Sequence, residues 1–246
     1  MTAVKDWIYG FFMAWGMFLA LPCPLKIWNE RARSKMVCCL PLVGLVVGGV
    51  WVLAAYAGRF LPPPVGGLLI AAAPWLVTGF LHLDGFMDVC DAVLSRRDLP
   101  RRQEILKDSH CGAFAVIGMV LLALSQWSAA MARPDVPLLP LLLIPVASRA
   151  CAALAVLTLR PMGTSQYAAM TGKRAPYVAF AALVMAAAAA VPLALWGSLA
   201  PLAAALGYWL AVWYADRQLG GMSGDVSGFS LTLGELLGLA VLTLVR

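Results

Sequence analysis

Apolar stretches about 20 residues long recur along this chain, at 7–25, 36–56, 64–82, 113–132, 137–159, 176–195, 199–215 and 228–245, each long enough for one helical crossing of a bilayer. Between them lie short polar stretches rich in Pro, Gly and basic residues. The pattern predicts an all-α protein: a polytopic integral membrane helical bundle of seven to eight membrane segments. In the first stretch Pro22 and Pro24 break the helix before Lys26, so a re-entrant or interfacial segment suits it as well as a span. The Pro62-Pro63-Pro64 run reads as a tight turn, and the Ala-rich stretch 181–191 as a packing or lipid-facing helix. No internal repeat is visible, and residues 1–246 read as a single transmembrane domain with functional loops.

Composition supports the pattern. Apolar side chains form 62% of the chain and charged ones 12%, about half the charged share of a soluble domain. That much apolar surface cannot be hidden in a soluble fold of 246 residues, so membrane lipid is the expected solvent for part of it. The formal net charge of +6 is spread over several short loops rather than gathered into a phosphate-tracking patch, which argues against nucleic-acid binding.

Charge placement orients the bundle. Loops 26–35, 83–112, 160–175 and 216–227 fall on one side and hold thirteen of the eighteen Lys and Arg, which places that side in the cytoplasm by the positive-inside rule. Cys23, Cys38, Cys39, Cys90, Cys111 and Cys151 contain no C-x-x-C pair and read as reduced, structural thiols.

The acids are concentrated more sharply. Six of twelve carboxylates lie between residues 84 and 108. Asp84, Asp88 and Asp91 stand at i, i+4 and i+7, which on a helix puts them within about 60° of arc and roughly 10 Å of axis. Like charges so placed repel unless a cation sits among them, and all-oxygen donors favour a hard ion such as Mg²⁺ or Mn²⁺. Glu104 and Asp108 form a second i,i+4 pair, with Arg102 and Lys107 beside them and the polar turn Ser109-His110 following. Acids flanked by arginines suit a metal-held diphosphate. Asp98 and Arg97 read as solvated loop charges.

Three further features join this group. His82 either orients a phosphate or sits at the interface. Arg149, alone in an apolar span, should face the interior and pair with a carboxylate or a substrate phosphate. The run Gly220-Gly221-Met222-Ser223-Gly224-Asp225 offers backbone N–H groups as a phosphate cradle, with Gly221, Gly224 and Asp225 as contacts. The basic turn from Arg160 through Lys173 and Arg174 suits phosphate binding or topology equally. Together these residues suit phosphoryl transfer from a diphosphate-activated donor at the cytoplasmic face.

The segments His82-Leu83-Asp84-Gly85-Phe86-Met87-Asp88-Val89-Cys90-Asp91-Ala92 and Glu104-Ile105-Leu106-Lys107-Asp108-Ser109-His110-Cys111-Gly112-Ala113-Phe114 resemble the signature of the cobalamin synthase family. Pro22-Cys23-Pro24 with Trp28, Pro41-Leu42-Val43-Gly44, and Gly220-Gly221-Met222-Ser223-Gly224-Asp225 resemble its N-terminal and C-terminal motifs. The family usually carries a threonine where this chain has Leu19-Ala20-Leu21. The resemblance implies an adenosylcobinamide-GDP ribazoletransferase, a multi-pass enzyme of the bacterial inner membrane that uses Mg²⁺. It would join adenosylcobinamide-GDP to α-ribazole or its 5′-phosphate and release GMP. In these roles Asp84, Asp88 and Asp91 would hold Mg²⁺, and Glu104 or Asp108 would complete a second metal shell or take the ribose proton. Arg102, Lys107 and Arg149 would offset phosphate charge, and Asp225 would bind metal or ribose.

Self-association, or association with other cobalamin-pathway enzymes, is left open. Two other readings compete. CDP-alcohol phosphotransferases and prenyltransferases also set aspartates against a diphosphate, but their D-x-x-D-G-x-x-A-R and paired D-x-x-x-D patterns are missing here. An ion-coupled transporter would carry its acids mid-membrane rather than at its border.

Overall fold

A computed structural model describes residues 2–133, 135–163 and 175–245. Among these the chain is helical, and its only extended pairing is a parallel bridge between Pro161 and Met222. The helices are α1 (Thr2–Phe18), α2 (Arg33–Cys38), α3 (Leu40–Gly58), α4 (Pro63–Val77), α5 (Leu81–Leu94), α6 (Leu99–Ile105), α7 (Ala113–Ala132), α8 (Leu138–Thr158), α9 (Ala175–Trp196), α10 (Ala200–Leu219) and α11 (Gly224–Leu244).

The expected seven to eight spans resolve differently. Among the described residues five helices are long and apolar enough to cross a membrane: α3, α7, α8, α11 and the stretch Pro176–Trp196 of α9. A sixth span exists if α4 and α5, bent by 92° to each other, count as one broken crossing. The reasons are local. The 64–82 stretch stops at Val77, where Gly79 and Phe80 take left-handed φ values of 59° and 62° and turn the chain into α5. The 199–215 stretch becomes α10, a helix whose Tyr208, Trp209, Trp213, Tyr214, Asp216, Arg217 and Gln218 dilute its apolar character. The 7–25 stretch ends its helix at Phe18, and Pro22 and Pro24 lie in the irregular chain beyond it.

Helix α8 is the axis of the bundle. Apart from Ser148 and Arg149 it is apolar around its circumference, as a helix buried on all sides tends to be, and 83% of its apolar window is buried against 17% for α9. It crosses α3 closely, because Gly44 and Gly48 of a G-x-x-x-G face leave the two backbones in contact. A Cβ at Gly48 would lie 2.2 Å from the carbonyl oxygen of Leu142, and one at Gly44 would lie 2.5 Å from that of Pro145. A second pair four residues apart, Gly234 and Gly238, brings α11 equally close to Ala204 of α10. Between lipid-solvated helices such packing takes the place of a hydrophobic driving force.

The polar loops gather at one end of this bundle. Met162 and Met222 exchange backbone hydrogen bonds with the facing strand segment, Met162 N–H to Met222 O at 2.9 Å and Met222 N–H to Arg160 O at 2.9 Å. Gln103 Nε2 donates to Leu219 O at 2.8 Å, and Lys35 pairs with Asp6 at 2.7 Å. All six cysteines are free, as their spacing implied.

Replacing Gly48 with Val should therefore force α3 from α8 and destabilise the protein by about 1–3 kcal/mol, as overpacking does. The check is a lower unfolding temperature in nanodiscs, with Gly49→Ala as control, since no atom stands within 4 Å of a Cβ at Gly49.

Candidate active site

The site begins with a contact between two backbones. The first turn of α5 and the first turn of α11 touch through Gly85 and Gly228. A Cβ at Gly85 would come within 2.8 Å of the Asp225 Cα, and one at Gly228 within 3.0 Å of the His82 carbonyl oxygen. Thr232 Oγ1 donates to that same carbonyl at 3.4 Å, and the Phe86 and Phe229 rings stack 5.5 Å apart to lock the register. This approach sets Asp225 of α11 beside the acidic face of α5. The charges that bear on Asp88 are Asp84, Asp225 and Asp91.

Beside this contact opens a cavity of about 650 Å³, lined by His82, Asp84, Lys107, Arg149, Gly224 and Asp225 among the polar and small residues, and by Phe18, Leu40, Leu106, Val156 and Leu231 among the apolar ones. Five helix ends and two loops distant in sequence thus converge on one chamber. The N-terminus of α11 faces it, capped by Ser223, whose Oγ accepts from Val226 N–H at 3.2 Å and donates to Asp225 at 3.4 Å. The chamber offers backbone N–H groups, carboxylates, the buried Arg149 and the exposed Lys107 together, a set that suits phosphoryl transfer.

The residues expected from spacing fall into three groups. Asp84, Asp225, His82, Lys107, Arg149 and Gly224 line the cavity, and Asp88 stands next to Asp84 on the same helix. Asp91 is placed differently from the metal role its spacing implied. Its carboxylate accepts from Gly112 N–H at 2.6 Å and Ala115 N–H at 3.0 Å, capping α7, a helix without a capping side chain of its own. Gly112 before an apolar run was the sequence signal for that cap.

The third group lies outside the chamber. Arg102, expected to meet phosphate, instead reaches Gln218, bonding its side-chain and main-chain oxygens and tying α6 to the end of α10. Glu104 makes a solvated pair with Arg101 at 2.6 Å, worth little on a surface. Asp108 bonds His110 Nδ1 at 2.6 Å and His110 N–H at 3.0 Å, and that hydrogen bonding holds its carboxyl below the ordinary range. The His110 side chain is 91% exposed and Ser109 is exposed beside it. Gly221 does not line the cavity. Its backbone presses against Met162, where a Cβ would lie 2.8 Å from the Met162 nitrogen. Asp98 caps α6 through Arg101 N–H at 3.4 Å. Lys173, Arg174 and the rest of 164–174 lie outside the described residues.

Sequence reading left one partner unnamed. Arg149, 1% exposed, pairs with Glu235, 5% exposed, across α8 and α11, and Ser148 Oγ also donates to Glu235 at 3.0 Å. A lone base and a lone acid in two apolar spans were the available signal, since each is costly without the other.

The fold is that of a helical membrane protein, with five or six candidate spans among the described residues and a chamber lined by acids and bases at one end. The chain belongs to the cobalamin-5-phosphate synthase family, which matches its residues 10–243. It is similar to the adenosylcobinamide-GDP ribazoletransferase of Clostridium botulinum, 35% identical over 96% of this chain and 97% of that protein. The proteins of the same name from Clostridium perfringens, 35% identical over 95% of this chain and 96% of that one, and Halalkalibacterium halodurans, 34% identical over 95% and 94%, are similar too. No solved structure matches the chain.

Glu235→Ala should destabilise the bundle by about 3–5 kcal/mol, because it leaves Arg149 charged and unpaired in the interior. Adding Arg149→Met to that variant should recover most of the loss. Thermal unfolding in nanodiscs reads both steps, and a double variant no more stable than the single one would contradict the pairing.

Proposed function

We propose that this transferase catalyses the nucleotide-loop step of cobalamin assembly, joining adenosylcobinamide-GDP to α-ribazole or its 5′-phosphate and releasing GMP. The observation that carries the reading is one chamber lined by acids of α5 and α11, by His82, Lys107 and the buried Arg149, and by the first residues of α11. Family membership supplies the substrates.

The attack is that of a ribose hydroxyl on the phosphorus nearer cobinamide, with GMP leaving. Asp84, Asp88 and Asp225 would hold Mg²⁺ here. Among the described residues no salt bridge reaches any of the three, and Asp225 has one hydroxyl donor, Ser223, so their charge awaits a cation. Among the described residues no three His, Cys, Asp or Glu side chains are placed to hold one metal ion together, so no more than two of these acids would share an ion and phosphate oxygens of the donor would complete its shell. Mg²⁺, when bound, neutralises charge on the bridging and leaving oxygens. Lys107 covers the phosphates from the cavity rim, and the α11 N-terminus directs its free N–H groups at them. The apolar wall of Phe18, Leu40 and Leu231 keeps water from the reacting phosphorus.

Incubating the detergent-purified protein with adenosylcobinamide-GDP, α-ribazole and Mg²⁺ should yield GMP and a new corrinoid in step, and a chelator should stop both. Asp88→Asn should lower turnover at least a hundredfold, about 3 kcal/mol of transition-state stabilisation. Turnover left intact in that variant would overturn the metal assignment.

The site would face the cytoplasm of a bacterial cell within the inner membrane, the side to which the basic loops point. Cys111 is exposed beside it, whereas burial pushes the Cys38 and Cys39 thiols up to about 12 and about 11 and keeps them unreactive. A membrane-impermeant maleimide at pH 8 should thus modify Cys111 in inverted vesicles and spare it in intact cells. Labelling in intact cells would reverse the orientation.

A further inference from the structure

Helix α7 begins without a capping side chain of its own, and the carboxylate that caps it comes from α5. In a local capping box two side chains divide this work. The N-cap residue accepts from the third N–H of the helix, and the third residue reaches back to the N-cap N–H. Here Asp91 does both. Its Oδ1 accepts from Ala115 N–H at 3.0 Å, and its Oδ2 accepts at 2.6 Å from the N–H of Gly112, the N-cap residue. Gly112 has a φ of −92° and a ψ of 174°, extended values that any residue adopts, so the backbone does not require glycine there. The carboxylate does. A Cβ at Gly112 would lie 2.5 Å from Asp91 Oδ1 and 2.7 Å from Oδ2. Further along α7 a Cβ at Gly118 would lie 2.9 Å from Cys90 Sγ, so the two helices stay in close contact beyond the cap.

This cap bears on the chamber through the connection that precedes α7. Leu106–Gly112 links α6 to α7, and its Leu106 and Lys107 line the cavity. The upstream end is held by α6, where Arg102 bonds Gln218 and Gln103 bonds the Leu219 carbonyl. The downstream end is Gly112, held by Asp91. Between these ends Asp108 bonds within its own exposed turn, to His110. Asp91 itself does not line the cavity. Its influence on the chamber runs through the segment it holds.

We propose that Asp91 is a positioning residue rather than a metal ligand: by capping α7 from α5 it fixes Leu106–Gly112 and so sets where Lys107 stands in the chamber. This inference rests on the transferase reading above for the identity of the substrate. Gly112 is the second half of the device, because a side chain there and the Asp91 carboxylate exclude each other.

The cap can therefore be moved. Gly112→Ser supplies an N-cap hydroxyl able to accept from Ala115 N–H, but in the wild-type protein it collides with Asp91. In Asp91→Ala it takes the vacated space. Each single substitution should lower the unfolding temperature of the full-length protein in nanodiscs by about 2–8 °C. The double variant should recover at least half of the loss, and Asp91→Asn, which keeps one acceptor oxygen, should fall between Asp91→Ala and wild type. A nitroxide on Cys111, in a Cys23→Ser background, should gain mobility in Asp91→Ala and lose it again in the double variant. In turnover, Asp91→Ala should lower kcat/KM for adenosylcobinamide-GDP about tenfold, the value of one hydrogen bond to a charged group, and Gly112→Ser should restore it. The half-activating Mg²⁺ concentration should not change. Lys107→Gln should cost less in Asp91→Ala than in the wild type, since Lys107 is already displaced there. A raised Mg²⁺ requirement that Gly112→Ser leaves raised would make Asp91 a metal ligand and overturn the proposal. So would lost stability with kcat/KM unchanged, the mark of a cap without influence on the site. Restored label mobility and unfolding temperature, in a protein that transfers nothing, would sustain the positioning of the segment and overturn the transferase reading instead.

Discussion

The approach of α5 to α11 through Gly85 and Gly228 governs the rest of the site. Any side chain at either position would separate the two helices, and Asp225 would then leave the neighbourhood of Asp84 and Asp88. Acids that repel one another are held together because the contact between them is made by backbone, by the stacked Phe86 and Phe229 rings and by Thr232, none of which depends on their charge. The electrostatic cost of the cluster is therefore met by packing and stored at the site, as functional sites commonly do.

The buried pair of Arg149 and Glu235 has a related place in the design. It joins the central helix α8 to α11, the helix whose first turn builds the chamber. Ion pairs of this kind seldom add net stability, since desolvation offsets their attraction. What this one does is fix a guanidinium in one orientation at the cavity wall. The same pair that holds two spans in register leaves one donor of Arg149 without a partner.

The glycine contacts explain why so much of the bundle is small-residue packing. Gly44 and Gly48 seat α3 on α8, and Gly234 and Gly238 seat α11 on α10. With lipid outside as apolar as the core inside, close backbone approach is what distinguishes the native arrangement. It also brings helix ends together at one face, where His82 in the first turn of α5 and the loops carrying Lys107 and Ser223 meet although they are far apart in sequence.

The sequence by itself determined the class of protein and the chemistry of one face. Composition and apolar run length require lipid, and the i, i+4, i+7 acids mark α5, because each is a property of local spacing or of totals. The motifs at 82–92 and 220–225 were legible for the same reason. What only the tertiary structure decided is which of these residues meet. Asp91 keeps the same register as Asp84 and Asp88, yet it caps α7, because where α7 begins depends on how the chain returns after α6. Arg102 ties two helices together, and Glu235 pairs with Arg149 from another span. Among the described residues the candidate spans number five or six rather than the expected seven or eight, because a bend at Gly79–Phe80 and the aromatic, polar surface of α10 do not register in run length alone. Periodicity fixes the face a residue occupies on its own helix. The partner opposite that face is set by helix crossings, and those follow from glycines whose spacing acquires meaning only when a second helix is present.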